Sequence, residues 1–197
     1  MPMTLPNLLT LSRIVAIPLV ILTFYMPSPW GPWLGCVLFA AAGLTDWLDG
    51  QLARRWHQQS EWGRFLDPIA DKLLVATVLF MLAALERISP PTIFPALVIL
   101  AREILVSGLR EHLATLAVPV PVSRLAKYKT LLQMVAVGWL LVGDAGPAAI
   151  PVRTIGELLL WIAAVLTFVT GYDYFRAGVT HIGDEPAPKN AEPRRAP

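Results

Sequence analysis

Four aspartates, Asp46, Asp49, Asp67 and Asp71, stand in the stretch TDWLDGQLARRWHQQSEWGRFLDPIADKL. The first two are three residues apart and the second two four apart, so on helices each pair shares one face within a turn. Crowded carboxylates have to be neutralised by protons or cations, and hard oxygen donors select Mg²⁺, Mn²⁺ or Ca²⁺ over softer metals. Four such groups can bridge two divalent ions, which favours in-line displacement at phosphorus by stabilising the entering and leaving oxygens together. The residues around them suit that chemistry. Gly50 and Ala53 continue the Asp46/Asp49 face with small side chains, leaving room for a bulky ligand or a second backbone. Arg54, one turn beyond Gly50, is placed to pair with a phosphate in bidentate fashion. Gly63 precedes Asp67 by four residues, and Pro68 is expected in the first turn of its helix, where proline is tolerated.

The elements that must carry these groups follow from composition. Of 197 residues, 55% are hydrophobic and 15% charged, against roughly 25% charged in soluble domains. Six apolar segments can be drawn, at Leu8–Tyr25, Trp33–Leu48, Ile69–Leu85, Ile93–Leu109, Leu125–Val142 and Ile155–Phe175. Runs of this length match the need of a helix crossing a ~30 Å hydrocarbon layer at ~1.5 Å per residue. Between them lie Pro27, Pro29, Gly31 and Pro32; Pro90 and Pro91; Pro119 and Pro121; and Gly143, Gly146, Pro147 and Pro151, all turn chemistry. The expected fold is an all-α integral membrane protein with six transmembrane helices, residues 1–182, followed by a charged, proline-rich tail over 183–197 that is expected to be disordered. The first segment has no basic residues before it and no small-x-small site after it, so it reads as a retained helix.

Topology follows from the basic residues. The side holding both termini and the 2–3 and 4–5 connections carries fourteen of the sixteen Lys and Arg, whereas the other has only Arg87 and Arg153. The positive-inside bias then puts both termini in the cytoplasm. The short 2–3 connection makes the second and third helices expected antiparallel neighbours, with the four carboxylates converging at their cytoplasmic ends. A charge facing lipid costs about 2.5 to 3.5 kcal/mol near the bilayer centre, so the carboxylates are expected to face the bundle interior. Several other chemistries are excluded. Cys36 has no second cysteine to pair with, the three histidines lack ligand spacing, and a net charge of +2 with no basic block argues against nucleic acid.

An isolated D-x-x-D reads equally well as solvated helix-end acids. Eight fixed positions do not, since their chance match at a given start is on the order of one in 10¹⁰ at background usage. Asp46-x-x-Asp49-Gly50-x-x-Ala53-Arg54, eight residues, Gly63-x-x-x-Asp67-x-x-x-Asp71 resembles the signature of the CDP-alcohol phosphotransferases, membrane enzymes that move a phosphatidyl or similar group from a CDP-linked donor to an alcohol. The resemblance implies six transmembrane helices, usually as a homodimer in the cell (inner) membrane. It also implies two divalent cations, Mg²⁺ or Mn²⁺, in a cavity facing the cytoplasm. It assigns Asp46, Asp49, Asp67 and Asp71 to the metals, with Asp71 also the general base, and Gly50, Ala53, Arg54 and Gly63 to the CDP pocket.

The stretches PNLLTLSRIVAIP, AREILVSGLREHLA, AKYKTLLQM and TGYDYF resemble the branch that joins CDP-diacylglycerol to sn-glycerol 3-phosphate; Ala126 departs from it by replacing an expected glycine with another small residue. By that resemblance Asn7, Thr10 and Arg13 help line the donor pocket, although Asn7 and Thr10 read equally well as end caps. On physical grounds Arg110, Lys127, Lys129 and Arg102 supply cations beside the acidic site, suited to a phosphate dianion. Such residues also satisfy the positive-inside bias and bind lipid headgroups, and Arg102 has a neighbouring acid to pair with. Two other readings stand: another acceptor (phosphatidylglycerol, inositol phosphate or serine), and a divalent-cation transporter, which leaves Gly50, Ala53, Arg54 and Gly63 unexplained.

Overall fold

A computed structural model describes residues 5–56, 61–115 and 124–182. These form six long helices: α1 (Leu5–Thr23), α2 (Trp30–Trp56), α3 (Glu61–Ala84), α4 (Ile93–Thr115), α5 (Arg124–Val142) and α6 (Val152–Ile182). Short 3₁₀ turns at Pro90–Thr92 and Gly143–Ala145 complete them, with no strand among the described residues. The expected tail lies outside the described residues.

The helices end where local chemistry ends them. The last turn of α1 tightens, with the Phe24, Tyr25 and Met26 amides reaching carbonyls three residues back, before Pro27 removes the next donor. α3 closes in a Schellman motif, in which the Arg87 amide reaches the Leu82 carbonyl at 2.9 Å and that of Glu86 reaches Ala83 at 3.1 Å. That geometry needs the left-handed backbone of Glu86, at φ 55°. The helices also outrun their apolar segments. α6 has 31 residues, or ~46 Å at ~1.5 Å per residue, so its last turns extend beyond a hydrocarbon core. Because α3 begins at Glu61, Pro68 lies in the helix body, not in the first turn as expected, and the Pro68 carbonyl accepts a 2.8 Å bond from the Lys72 ammonium.

Contacts between distant residues fix which ends lie together. At one end the Arg87 guanidinium lies 4.9 Å from the Phe24 ring, Glu157 accepts the Ser89 amide and hydroxyl at 2.8 Å each, and Trp33 Nε1 donates to the Ala145 carbonyl at 3.2 Å. At the opposite end α1 meets α3 through Arg13 and Asp67, and α4 meets α5 through Glu103 and Lys129. Neighbouring helices therefore run in alternating directions, gathering the starts of α1, α3 and α5 with the ends of α4 and α6. Within the described residues, α2 and α3 touch each other little and pack mainly on α1. The end of α2 and the start of α3, where the short connection is expected to bring the two together, have side chains outside the described residues.

Apolar and polar residues are arranged as in a bilayer. Phe80, Leu105 and Phe168 are each about two-thirds exposed on the outside, whereas Thr10, Arg13, Lys129, Gln133, Thr167 and Thr170 are buried. An exterior this apolar is stable against lipid and not against water. Two stretches, Pro90–Ala114 and Val152–Tyr172, are long and apolar enough to cross a membrane. Inside, Phe39, Leu74, Leu79, Leu82, Ile99, Leu140 and Leu160 form one core. A close seam between α5 and α6 lies at Gly156, where a Cβ would come within 2.9 Å of the Leu140 side chain and 3.1 Å of its backbone nitrogen. Gly156→Leu is accordingly expected to cost about 1–3 kcal/mol by overpacking. Thermal unfolding in detergent followed by circular dichroism reads this as a lower midpoint, and an unchanged midpoint would mean α5 and α6 separate without penalty.

Candidate active site

α3 carries Asp67 and Asp71 four residues apart, one turn along a common face. Both are half-buried. Asp67 is held from α1, where the Thr10 hydroxyl donates to its Oδ1 and the Arg13 guanidinium approaches the same oxygen at 3.5 Å. Arg13 is wholly enclosed, whereas the Asp67 side chain keeps 42% of its surface open. Asp71 is near enough to act electrostatically on the Lys129 ammonium of α5.

Lys129 is almost completely buried, which an ammonium tolerates only beside a counter-charge. Glu103 on α4 supplies it, and also accepts from Arg102 at 3.4 Å. Arg102 then reaches the Thr170 hydroxyl of α6 at 3.4 Å, while that hydroxyl donates to the Leu166 carbonyl at 2.8 Å. The route of Arg102 across α6 depends on Gly171, since a Cβ there would lie 2.8 Å from the Arg102 Cγ. Two cations from α4 and α5 thus share one carboxylate, and one of them, Lys129, is within electrostatic reach of Asp71.

The remaining expected residues divide by position. Gly63 is buried near the start of α3. Arg110 is exposed on α4, eight residues and so ~12 Å beyond Arg102 along the helix; the two do not form one cluster. Asp46, Asp49, Gly50, Ala53 and Arg54 belong to the last part of α2, Asn7 to the first turn of α1, and Lys127 to the first turn of α5. Their side chains lie outside the described residues. Among the described residues there is no group of three or more acidic, His or Cys side chains arranged for a metal.

Sequence reasoning assigned no function to Glu103 or Thr170, and placed Thr10 in the donor pocket or at the helix cap and not against Asp67. The signal for Glu103 was its charge in an otherwise apolar run, which in a membrane helix demands a partner. For Thr10 it was a spacing of three from Arg13, placing both on one face of α1.

The family profile described as CDP-alcohol phosphatidyltransferase matches residues 3–169. Proteins named CDP-diacylglycerol–glycerol-3-phosphate 3-phosphatidyltransferase resemble the chain over most of its length. The one from Rickettsia bellii is 53% identical over 173 residues, spanning 88% of this chain and 94% of its own. That from Shigella flexneri serotype 5b is 42% identical, spanning 94% and 100%, and that from Cereibacter sphaeroides 39%, spanning 92% and 98%.

Proposed function

The chain belongs to the CDP-alcohol phosphatidyltransferase family, and from that membership we propose that it transfers the phosphatidyl group of CDP-diacylglycerol to sn-glycerol 3-phosphate, giving phosphatidylglycerol phosphate and CMP. The observation that carries the reading beyond the family is the buried Arg102–Glu103–Lys129 cluster, whose Lys129 lies within electrostatic reach of Asp71. A proton acceptor and a cation suited to an anionic alcohol are thus within electrostatic reach of each other. The same proposal takes the protein to be a homodimer in the cell inner membrane, its six helices spanning it, its termini and site facing the cytoplasm. The outward apolar faces support the membrane setting, and the distribution of Lys and Arg supports the orientation.

Each residue then has a task. Asp71 takes the proton from the primary hydroxyl of the acceptor. That oxygen attacks the donor's β-phosphorus, the bond from this phosphorus to the bridging oxygen breaks, and CMP leaves with the electron pair. Arg54 faces the pyrophosphate and spreads its developing charge. Arg102, Lys127, Lys129 and Arg110 attract and orient the acceptor phosphate. Gly50, Ala53 and Gly63 leave room for the nucleotide, and Asn7 helps to line the donor pocket.

The donor set suits hard divalent cations: Asp67 offers Oδ2 with no partner among the described residues, and Asp71 stands on the same face. Asp46, Asp49, Asp67 and Asp71 would hold two Mg²⁺ or Mn²⁺ ions, whose chemistry when bound is to neutralise charge on the pyrophosphate and on the attacking oxygen.

The test is CMP release by purified protein with CDP-diacylglycerol and Mg²⁺, comparing glycerol 3-phosphate, phosphatidylglycerol, inositol phosphate and serine. Release with glycerol 3-phosphate alone is expected, together with a KM for it raised about 10-fold or more in Lys129→Met, the range of one charged hydrogen bond. Release with a different acceptor would keep the acid chemistry and overturn the role of the basic flank. Absence of CMP under every condition, with divalent-ion flux in liposomes, would make the protein a transporter.

A further inference from the structure

The hold of α1 on Asp67 is one-sided. Thr10 and Arg13, three residues apart and so on one face of α1, both address Oδ1. Oδ2 has no partner among the described residues, although the side chain is more than half covered. Arg13 has no exposed surface at all, so its guanidinium is fixed by packing and cannot swing away to another anion without opening the α1–α3 seam. A carboxylate gripped by one oxygen is fixed in orientation while the other oxygen remains a donor. Metal-binding carboxylates are commonly oriented in this way by a second hydrogen-bonded layer.

We propose that Thr10 and Arg13 are positioning residues that lock Oδ1 of Asp67 so that Oδ2 is presented to a divalent cation. This gives Arg13 a task at the carboxylate. The inference rests on the metal reading given above. It also gives α1 a task beyond packing, because α1 is the helix against which both α2 and α3 lie, and those two helices carry the four aspartates. A tether from α1 therefore sets one metal ligand relative to the frame shared by all four.

Binding of Mn²⁺ to the purified full-length protein without substrates, followed by electron paramagnetic resonance of the free ion, separates this role from catalysis. Thr10→Val keeps the shape and removes the hydroxyl, and is expected to weaken Mn²⁺ about 10-fold or more, within the 10- to 100-fold range for such partners. Thr10→Ser restores the donor and is expected to return the affinity to within about 2-fold of the parent. Activity of Thr10→Val is expected to recover as Mn²⁺ is raised, a rescue that a general packing defect does not give. Gel filtration and circular dichroism establish folding, and Thr10→Ala supplies the same comparison if the valine variant fails it. Parental protein that binds Mn²⁺ with Thr10→Val unchanged, or Thr10→Ser as weak as Thr10→Val, overturns the positioning role alone. Parental protein that binds no Mn²⁺ overturns the metal reading and this inference with it.

Discussion

Asp71→Asn is expected to lower the maximal rate of CMP release by about 10³-fold or more, since a positioned base contributes about 10²- to 10⁴-fold and the substitution also removes one charge from the acidic face. Asparagine matches aspartate in size, so the packing of α3 is kept and the loss reads chemistry. Asp71 is half-buried, one turn from Asp67, and Lys129 lies within its electrostatic reach. A cation on that side draws an anionic alcohol towards it. CDP-diacylglycerol binding, measured by its protection of the variant against thermal unfolding, is expected to persist in part, because Asp71 does not hold the nucleotide alone. Turnover within about 10-fold of the parent, well inside the range attributed to a general base, would remove Asp71 from that role.

Exhaustive chelation is the second large effect. EDTA is expected to abolish CMP release, and Mg²⁺ or Mn²⁺ added in excess to restore it. The physical reason is charge: four aspartates within 26 positions of one chain segment repel one another at a bundle end unless cations or protons intervene. Arg13 lies against Asp67 and Lys129 is paired with Glu103, so neither stands as a counter-ion to all four carboxylates. Binding to the folded state also stabilises it, by about 2.7 kcal/mol at a hundredfold excess over the dissociation constant. A rise in melting temperature on adding Mn²⁺ to the chelated protein is therefore expected alongside the return of activity. Full activity after chelation, verified by metal analysis, would leave the aspartates as proton carriers and hydrogen-bond acceptors only.

The acidic motif could be read from sequence because it is local. A helix turns once in about 3.6 residues, so Asp67 and Asp71, or Thr10 and Arg13, share a face whatever the rest of the chain does. The six helices were legible for a similar reason, since each apolar run leaves its backbone no cheaper way to satisfy its hydrogen bonds in lipid. Their ends were less so. α2 continues to Trp56 and α6 to Ile182, past the apolar runs, because helix propagation needs one bond per residue and not an apolar side chain. The left-handed Glu86 left no mark in a sequence where glycine is the ordinary sign of such a turn.

By itself, then, the sequence determined the spacing of the carboxylates, the apolar helices and the family resemblance, all properties of neighbouring residues or of a linear pattern. The tertiary structure alone decided that Asp67 answers to Arg13, 54 positions away, that Lys129 answers to Glu103, 26 away, and that Arg102 crosses α6 where Gly171 lacks a side chain. It also placed α1, not α2, against most of α3. Such pairings depend on how helices cross and on which small residues let them approach. A buried charge needs a partner, and packing chooses which residue supplies it.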